Sequence, residues 1–314
     1  MISFRLYAPS ESLLHKGFPL ISESPERLLS LYALFKDMGL KVLSSPKASR
    51  GKIALAHKDE YVEHVRSLSQ MNIFRATLKN VTSPYVQWYT RISSGSYNAA
   101  LHAVGAVCQA VQDVHFEVST RAFCAVRPPG HHAGPAYGEG FCIFNNVAIG
   151  ALYAQSLGFA KVAIVDFDVH HGNGTEAVVL SYGNRNLFLA SSYQEGCEYA
   201  TKNRKRDVDI LHVPIPENSS FKIVYDLYDQ TILPQLREFQ PDLILVSAGF
   251  DMHYCDPLKN LSLSATDYYL LMRMLIGVAN ECCNGKIISV LEGGYHIPAL
   301  TDCVKEHISA IIKP

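Results

Sequence analysis

From about residue 120 onward, short apolar runs recur along the chain, separated by longer segments whose apolar positions repeat every three or four residues. The runs Arg121–Val126, Lys161–Phe167, Asn186–Ser191, Asp242–Ser247 and Lys286–Leu291 predict buried strands. The segments Asn145–Leu157, Phe221–Phe239 and Thr266–Cys283 predict helices. Strand alternating with helix points to an α/β protein, a parallel sheet covered on both faces. The first hundred residues read as more helical, over Pro25–Phe35, Asp59–Leu68 and Ser96–Gln112. No low-complexity linker, internal repeat or break in composition divides the chain, so a single domain over residues 1–314 is expected.

Polar residues enter this pattern abruptly. Four runs switch at their carboxyl ends into unusual sequence: AFCAV into RPPGHH, KVAIV into DFDVHHGNG, DLILV into SAGFD, and KIISV into LEGGY. In open parallel sheets ligands sit beyond the carboxyl ends of the strands, so four such ends can build one site.

The second switch carries Asp166, Asp168 and His170 at alternate positions, which share one face of an extended strand, and Gly172 and Gly174 then free the chain to turn. Oxygen and nitrogen ligands with an open position describe a catalytic rather than a structural zinc site. Asp251, ending SAGFD, is the best-placed third ligand. Tyr295 projects from a glycine turn and can donate to a developing oxyanion. His131 and His132 reach one site only if the chain turns there, which Pro128, Pro129 and Gly130 can supply, and imidazoles suit proton transfer near neutral pH. Taken singly, each of these features fits a packed or hydrogen-bonded turn equally well.

Composition narrows the function classes. Hydrophobic residues make up 48% and charged residues 18%, as in soluble globular chains. A net charge of -1 offers nucleic acid no broad basic face, and the one basic cluster, Lys202-Asn203-Arg204-Lys205-Arg206, is answered at once by Asp207 and Asp209. The N-terminus has no continuous apolar core of a signal segment, and no window approaches the roughly 18 apolar residues of a membrane helix. A cytoplasmic protein is expected. The 8 cysteines form no CxxC pair and read as free thiols in a reducing compartment.

RPPGHHA at 127–133, GFCIFNN at 140–146, VDFDVHHGNGT at 165–175, SAGFD at 247–251 and LEGGY at 291–295 together resemble the motif set of the zinc-dependent histone deacetylases. The likeness is to the class II branch, with the bacterial deacetylase-like proteins and acetylpolyamine amidohydrolases. SESPERL at 22–28, HKDEYVEHV at 57–65 and SSGSYNAA at 93–100 carry it upstream.

The resemblance implies the arginase-deacetylase fold, one α/β domain around an eight-stranded parallel sheet flanked by helices. It implies zinc on Asp168, His170 and Asp251, a donor set hard enough to accept iron(II) as well. It sets His131 and His132 beside the attacking water, His131 held by Asp166 and His132 by Asn173, with Tyr295 polarising the substrate carbonyl. Phe141 would line a narrow tunnel, and Gly140 and Gly293 would bring backbone close to it. A structural potassium ion would draw on Asp166, Asp168, His170 and the Ser191-Ser192 segment. Because Asn173 is neutral, His132 is expected to be the less basic histidine.

The chain departs from the family in one loop. Tyr193 stands where many relatives have histidine, and the proline- and glycine-rich tunnel wall that follows in them is missing from SSYQEGCEYATKN. The acidic residue with which relatives grip the substrate backbone has no counterpart near Tyr89. Two functions fit: an amidohydrolase that removes acyl groups from protein lysines or small amines, and an inactive binding module for acylated amines. A ureohydrolase of the arginase type would need a two-metal pattern that the motifs lack.

Overall fold

The computed structural model describes residues 3–17, 22–71, 73–183, 185–196, 199, 210–258 and 261–313; the basic cluster at 202–206 lies outside them. One eight-stranded sheet runs through the molecule. Its strands are β1 (Phe4–Tyr7), β2 (Val42–Leu43), β3 (Arg121–Cys124), β4 (Val162–Asp166), β5 (Leu187–Gln194), β6 (Ile210–Ile215), β7 (Leu243–Ala248) and β8 (Ile287–Leu291). They lie in the order β2-β1-β3-β8-β7-β4-β5-β6, and every pair is parallel. The eight-stranded parallel sheet implied by the resemblance is thus present.

All five expected strands form, because β3, β4, β5, β7 and β8 are buried along their whole length and an unbroken apolar run is what burial on both faces requires. Two cores result. One face packs Phe123, Val165, Phe167 and Val246 against helices at Pro25–Asp37, Ala265–Cys283 and Ile297–Ile312; the other packs Val126, Ile164, Leu245 and Val290 against Ser96–His115 and Asn146–Ser156.

The hydrophobic pattern missed β1, β2 and β6. β1 and β2 have four and two residues, too short to show a period. β6 is an edge strand, part exposed and carrying Pro214, which an edge tolerates because the missing N–H is not needed there. The helix expected over Phe221–Phe239 forms in two pieces, Phe221–Leu227 and Leu233–Phe239, joined by a π turn at Tyr228–Ile232. Pro234 supplies no N–H to the preceding turn, and a wider turn accommodates the loss.

Candidate active site

β3, β8, β7 and β4 are the four central strands and are neighbours in that order. Their registers align Cys124 with Val290, Ser247 with Val290, and Asp166 with Ser247, so the four polar segments emerge side by side from one edge of the sheet.

At this edge His170 Nδ1 lies 3.1 Å from Asp168 Oδ1 and 3.5 Å from Asp251 Oδ2. Asp168 Oδ2 accepts from Gly293 N–H at 2.9 Å, and Asp251 Oδ1 accepts from Val169 N–H at 3.0 Å. Asp251 Oδ2 is buried and makes no hydrogen bond among the described residues. An orphaned carboxylate oxygen is costly unless a cation meets it. Burial opposes a charge on His170, yet the neighbouring carboxylates of Asp168 and Asp251 raise its pKa to about 10. The cradle excludes side chains: a Cβ on Gly293 would fall 2.1 Å from Asp251 Oδ2, and one on Gly249 would fall 2.2 Å from Asp168 Oδ2. Gly293 therefore abuts the carboxylates rather than the cavity. These three residues fit a divalent metal.

Two imidazoles flank the trio with ring centroids 3.9 Å apart. His131 Nδ1 is 3.0 Å from Asp166 Oδ2, and His132 Nδ1 is 2.7 Å from Asn173 Oδ1. Asn173 gives its amide N–H to Glu139 Oε1 at 2.5 Å, so its oxygen faces His132. That contact puts the His132 proton on Nδ1 and leaves Nε2 as the acceptor. Burial disfavours charge on both rings, but the carboxylates of Asp168 and Asp166 lift His131 well above the ordinary imidazole range. For His132, burial and the neighbouring His131 and His170 combine to push it well below that range.

Their mount is built from distant residues. Glu292 Oε2 accepts from Gly130 N–H at 2.7 Å and from His131 N–H at 3.2 Å. Asn146 Nδ2 donates to Pro128 O at 3.1 Å, and Asn145 Nδ2 to Ala133 O at 3.0 Å, so the paired asparagines of GFCIFNN tie down RPPGHH. Arg127 forms a buried ion pair with Glu23. Glu292 had been legible only as a strand-end residue; its role as an anchor depends on β8 lying beside β3.

A cavity of about 260 Å³ opens above these groups, lined by Tyr89, His132, Gly140, Phe141, His170, Tyr199, Leu258 and Tyr295. The Phe141 ring stands 5.8 Å from the rings of both Tyr89 and Tyr295. Gly140 has φ +54°, and a Cβ there would fall 2.1 Å from His132 Cδ2. Tyr295 is held through its backbone N–H by Asp256 Oδ2 at 2.7 Å, with the Arg27 guanidinium 5.0 Å over its ring. Burial drives the Tyr295 phenol well up, keeping its O–H as a donor.

In the divergent loop, Tyr193 is buried against His171, 4.8 Å away, and lines no part of the cavity. Tyr199 supplies the wall instead. Its ring lies 4.1 Å from that of His132, and its hydroxyl is 2.6 Å from the Tyr89 hydroxyl. No spacing or motif marked Tyr199, Tyr89 or Asp256.

The seven described cysteines are free, five of them buried. Among the described residues no helix is long and apolar enough to cross a membrane.

Residues 21–311 match the histone deacetylase domain family. The chain is 41% identical over 246 residues to the type-2 histone deacetylase 2 of Dictyostelium discoideum, covering 71% of this chain but 14% of that much longer protein. It is 31% identical over 301 residues to a probable deacetylase of Archaeoglobus fulgidus, covering 91% and 80%. The crystal structure of the HDA15 HD domain superposes with a TM-score of 0.86 at 27% identity, over 99% of this chain and 90% of that one. With its motifs, sheet and residue match in agreement, the chain belongs to the histone deacetylase family.

Proposed function

We propose that the protein is a metal-dependent amidohydrolase that removes acetyl or related acyl groups from primary amines, either lysine side chains or small acylated amines. One observation carries this reading: Asp168, His170 and Asp251 converge, and His170 opens with His132 and Tyr295 onto one aromatic-walled cavity. Asp168, His170 and Asp251 would hold zinc or iron(II), which lowers the pKa of a water and polarises an amide carbonyl.

The remaining chemistry belongs to the chain. Phe141, Tyr89 and Tyr199 form apolar walls that suit an alkyl stem and exclude water. Tyr295 donates its O–H to the amide oxygen as that oxygen gains charge. His132, neutral and with Nε2 free of its own proton, takes a proton from the attacking water. As the water oxygen bonds to the carbonyl carbon and the C–N bond breaks, the same imidazole returns that proton to the leaving nitrogen, giving a carboxylic acid and an amine, and transfer of the remaining acid proton to the amine leaves a carboxylate and an ammonium. His131, with Nδ1 3.0 Å from the Asp166 carboxylate, acts electrostatically on the negative charge of the adduct. The Asp166 carbonyl, which accepts from Ser192 Oγ at 3.2 Å, would help hold a structural potassium ion.

The test is turnover of acetyl-lysine, longer acyl-lysine and acetylated polyamine substrates with and without chelator. Asp251→Ala should lose metal and activity together. Tyr295→Phe should keep the metal and lose about 10²–10³ in rate, the usual cost of one oxyanion donor. A metal-loaded protein that turns over none of these substrates would instead be an acyl-amine binding module.

A further inference from the structure

Beyond the turn that carries His170, a second group of donor atoms converges from three separate elements. His171 follows the catalytic-site imidazole in the chain, Glu176 lies in the first turn of the helix Asn173–Tyr182, and His212 stands on the edge strand β6. His171 Nε2 is 2.5 Å from Glu176 Oε2, and His212 Nε2 is 3.5 Å from Glu176 Oε1. The two rings are 4.9 Å apart, and one donor atom from each of the three residues falls within 4.8 Å of the others.

We propose that His171, Glu176 and His212 form a second divalent-metal site of the zinc type, separate from the Asp168-His170-Asp251 trio. Two imidazoles and one carboxylate are borderline ligands, suited to zinc and its transition-metal neighbours rather than to calcium or magnesium. Zinc with nitrogen and oxygen ligands at about 2.0–2.1 Å in a tetrahedron sets its ligand atoms about 3.3 Å apart. The contacts run to the two oxygens of Glu176: His212 lies 3.5 Å from Oε1, which already fits, His171 lies 2.5 Å from Oε2 and must widen by less than one ångström, and the two imidazole donors, within 4.8 Å of each other, would draw together on the ion.

An outer partner is also in place. Ser191 Oγ lies 2.9 Å from His171 Nδ1, which fixes that ring so that Nε2 faces the site, the arrangement that orients metal-bound histidines. A single imidazole would satisfy Glu176 as an ion pair. The second one brings the same nitrogen to the same carboxylate while its own Nδ1 is buried without a hydrogen bond among the described residues. His171 and Glu176 are 0% and 4% exposed at the side chain and His212 is 9% exposed, so an ion would be nearly enclosed. Occupancy would clamp the edge strand and the helix start to the turn that carries His170.

The 314-residue chain stripped of metal and titrated with Zn²⁺ tests this, with bound zinc counted after gel filtration. Two equivalents per chain are expected for the parent, one for Asp251→Ala, one for His212→Ala and none for the double variant. His212→Cys, which restores a zinc ligand, should recover the second equivalent. In Asp251→Ala, where only this site remains, Zn²⁺ should raise the melting temperature, and adding His212→Ala should abolish the shift. A parent that binds one equivalent, an Asp251→Ala variant that binds none, or a His212→Ala variant that still binds two would each overturn the proposal. The parent count needs no substitution, so it stands even where a variant fails to fold.

Discussion

Replacing Asn173 by Asp changes the charge beside the proposed proton carrier without changing its shape. In the parent, Asn173 Oδ1 accepts from His132 Nδ1 at 2.7 Å, and this neutral amide offers little against the burial and the positive neighbours that push His132 down. A carboxylate at hydrogen-bonding distance favours the imidazolium, by about 1–3 pKa units for a close opposite charge. Glu139 moderates the gain, because it touches Asn173 Nδ2 at 2.5 Å and would face a new like charge. Burial already raises the Glu139 pKa, and an introduced carboxylate beside it would raise it further. A rise of at least one unit in the His132 pKa is expected.

The sign of the kinetic effect follows. A general base must be neutral, so kcat/KM falls as pH drops through its pKa, and raising that pKa moves the acidic limb to higher pH. At a pH on the limb, each unit costs about tenfold in rate. The assay is kcat/KM for an acetyl-lysine substrate from pH 5 to 9, for the parent, Asn173→Asp and Asn173→Asp combined with Glu139→Gln. The double variant should shift at least as far as the single one. An acidic limb that does not move in either would refute the assignment of His132 as the base.

Two further outcomes are expected. Tyr199→Ala removes the ring 4.1 Å from His132 and its bond to Tyr89, widening the cavity; the ratio of kcat/KM for a longer acyl chain to that for acetyl should rise about tenfold, and an unchanged ratio would show that Tyr199 does not set chain length. Burial raises the Glu292 pKa from 4.5 to about 7, so between those values the folded state binds more protons than the unfolded one and stability falls as pH rises, reaching its full cost above about pH 7. Glu292→Gln cannot titrate. Urea unfolding at pH 5 and pH 8 should therefore show the parent losing on the order of 3 kcal/mol relative to the variant, and parallel pH dependence would contradict the buried charge.

The sequence by itself determined the local chemistry: which strands are buried on both faces, where each ends, and which residues wait at those ends. The turn that carries His131 and His132 is set by neighbouring residues and can be read along the chain, whereas β4 ends at Asp166, so Asp168 and His170 sit in bends beyond the strand and not on one strand face as their alternation suggested. The pairing of His131 with Asp166 and of His132 with Asn173 came from family resemblance, and the geometry agrees. Tertiary structure alone decided what depends on strand order. Only the adjacency of β3, β8, β7 and β4 brings Glu292 beneath Gly130, across 162 residues of chain, and sets Gly293 against Asp168, across 125. Tyr199 over His132, Asp256 behind Tyr295 and His212 beside Glu176 belong to the same class. Each is a contact between loops or edges with no period of its own, so its partner is chosen by how the sheet is ordered rather than by any pattern in the residues around it.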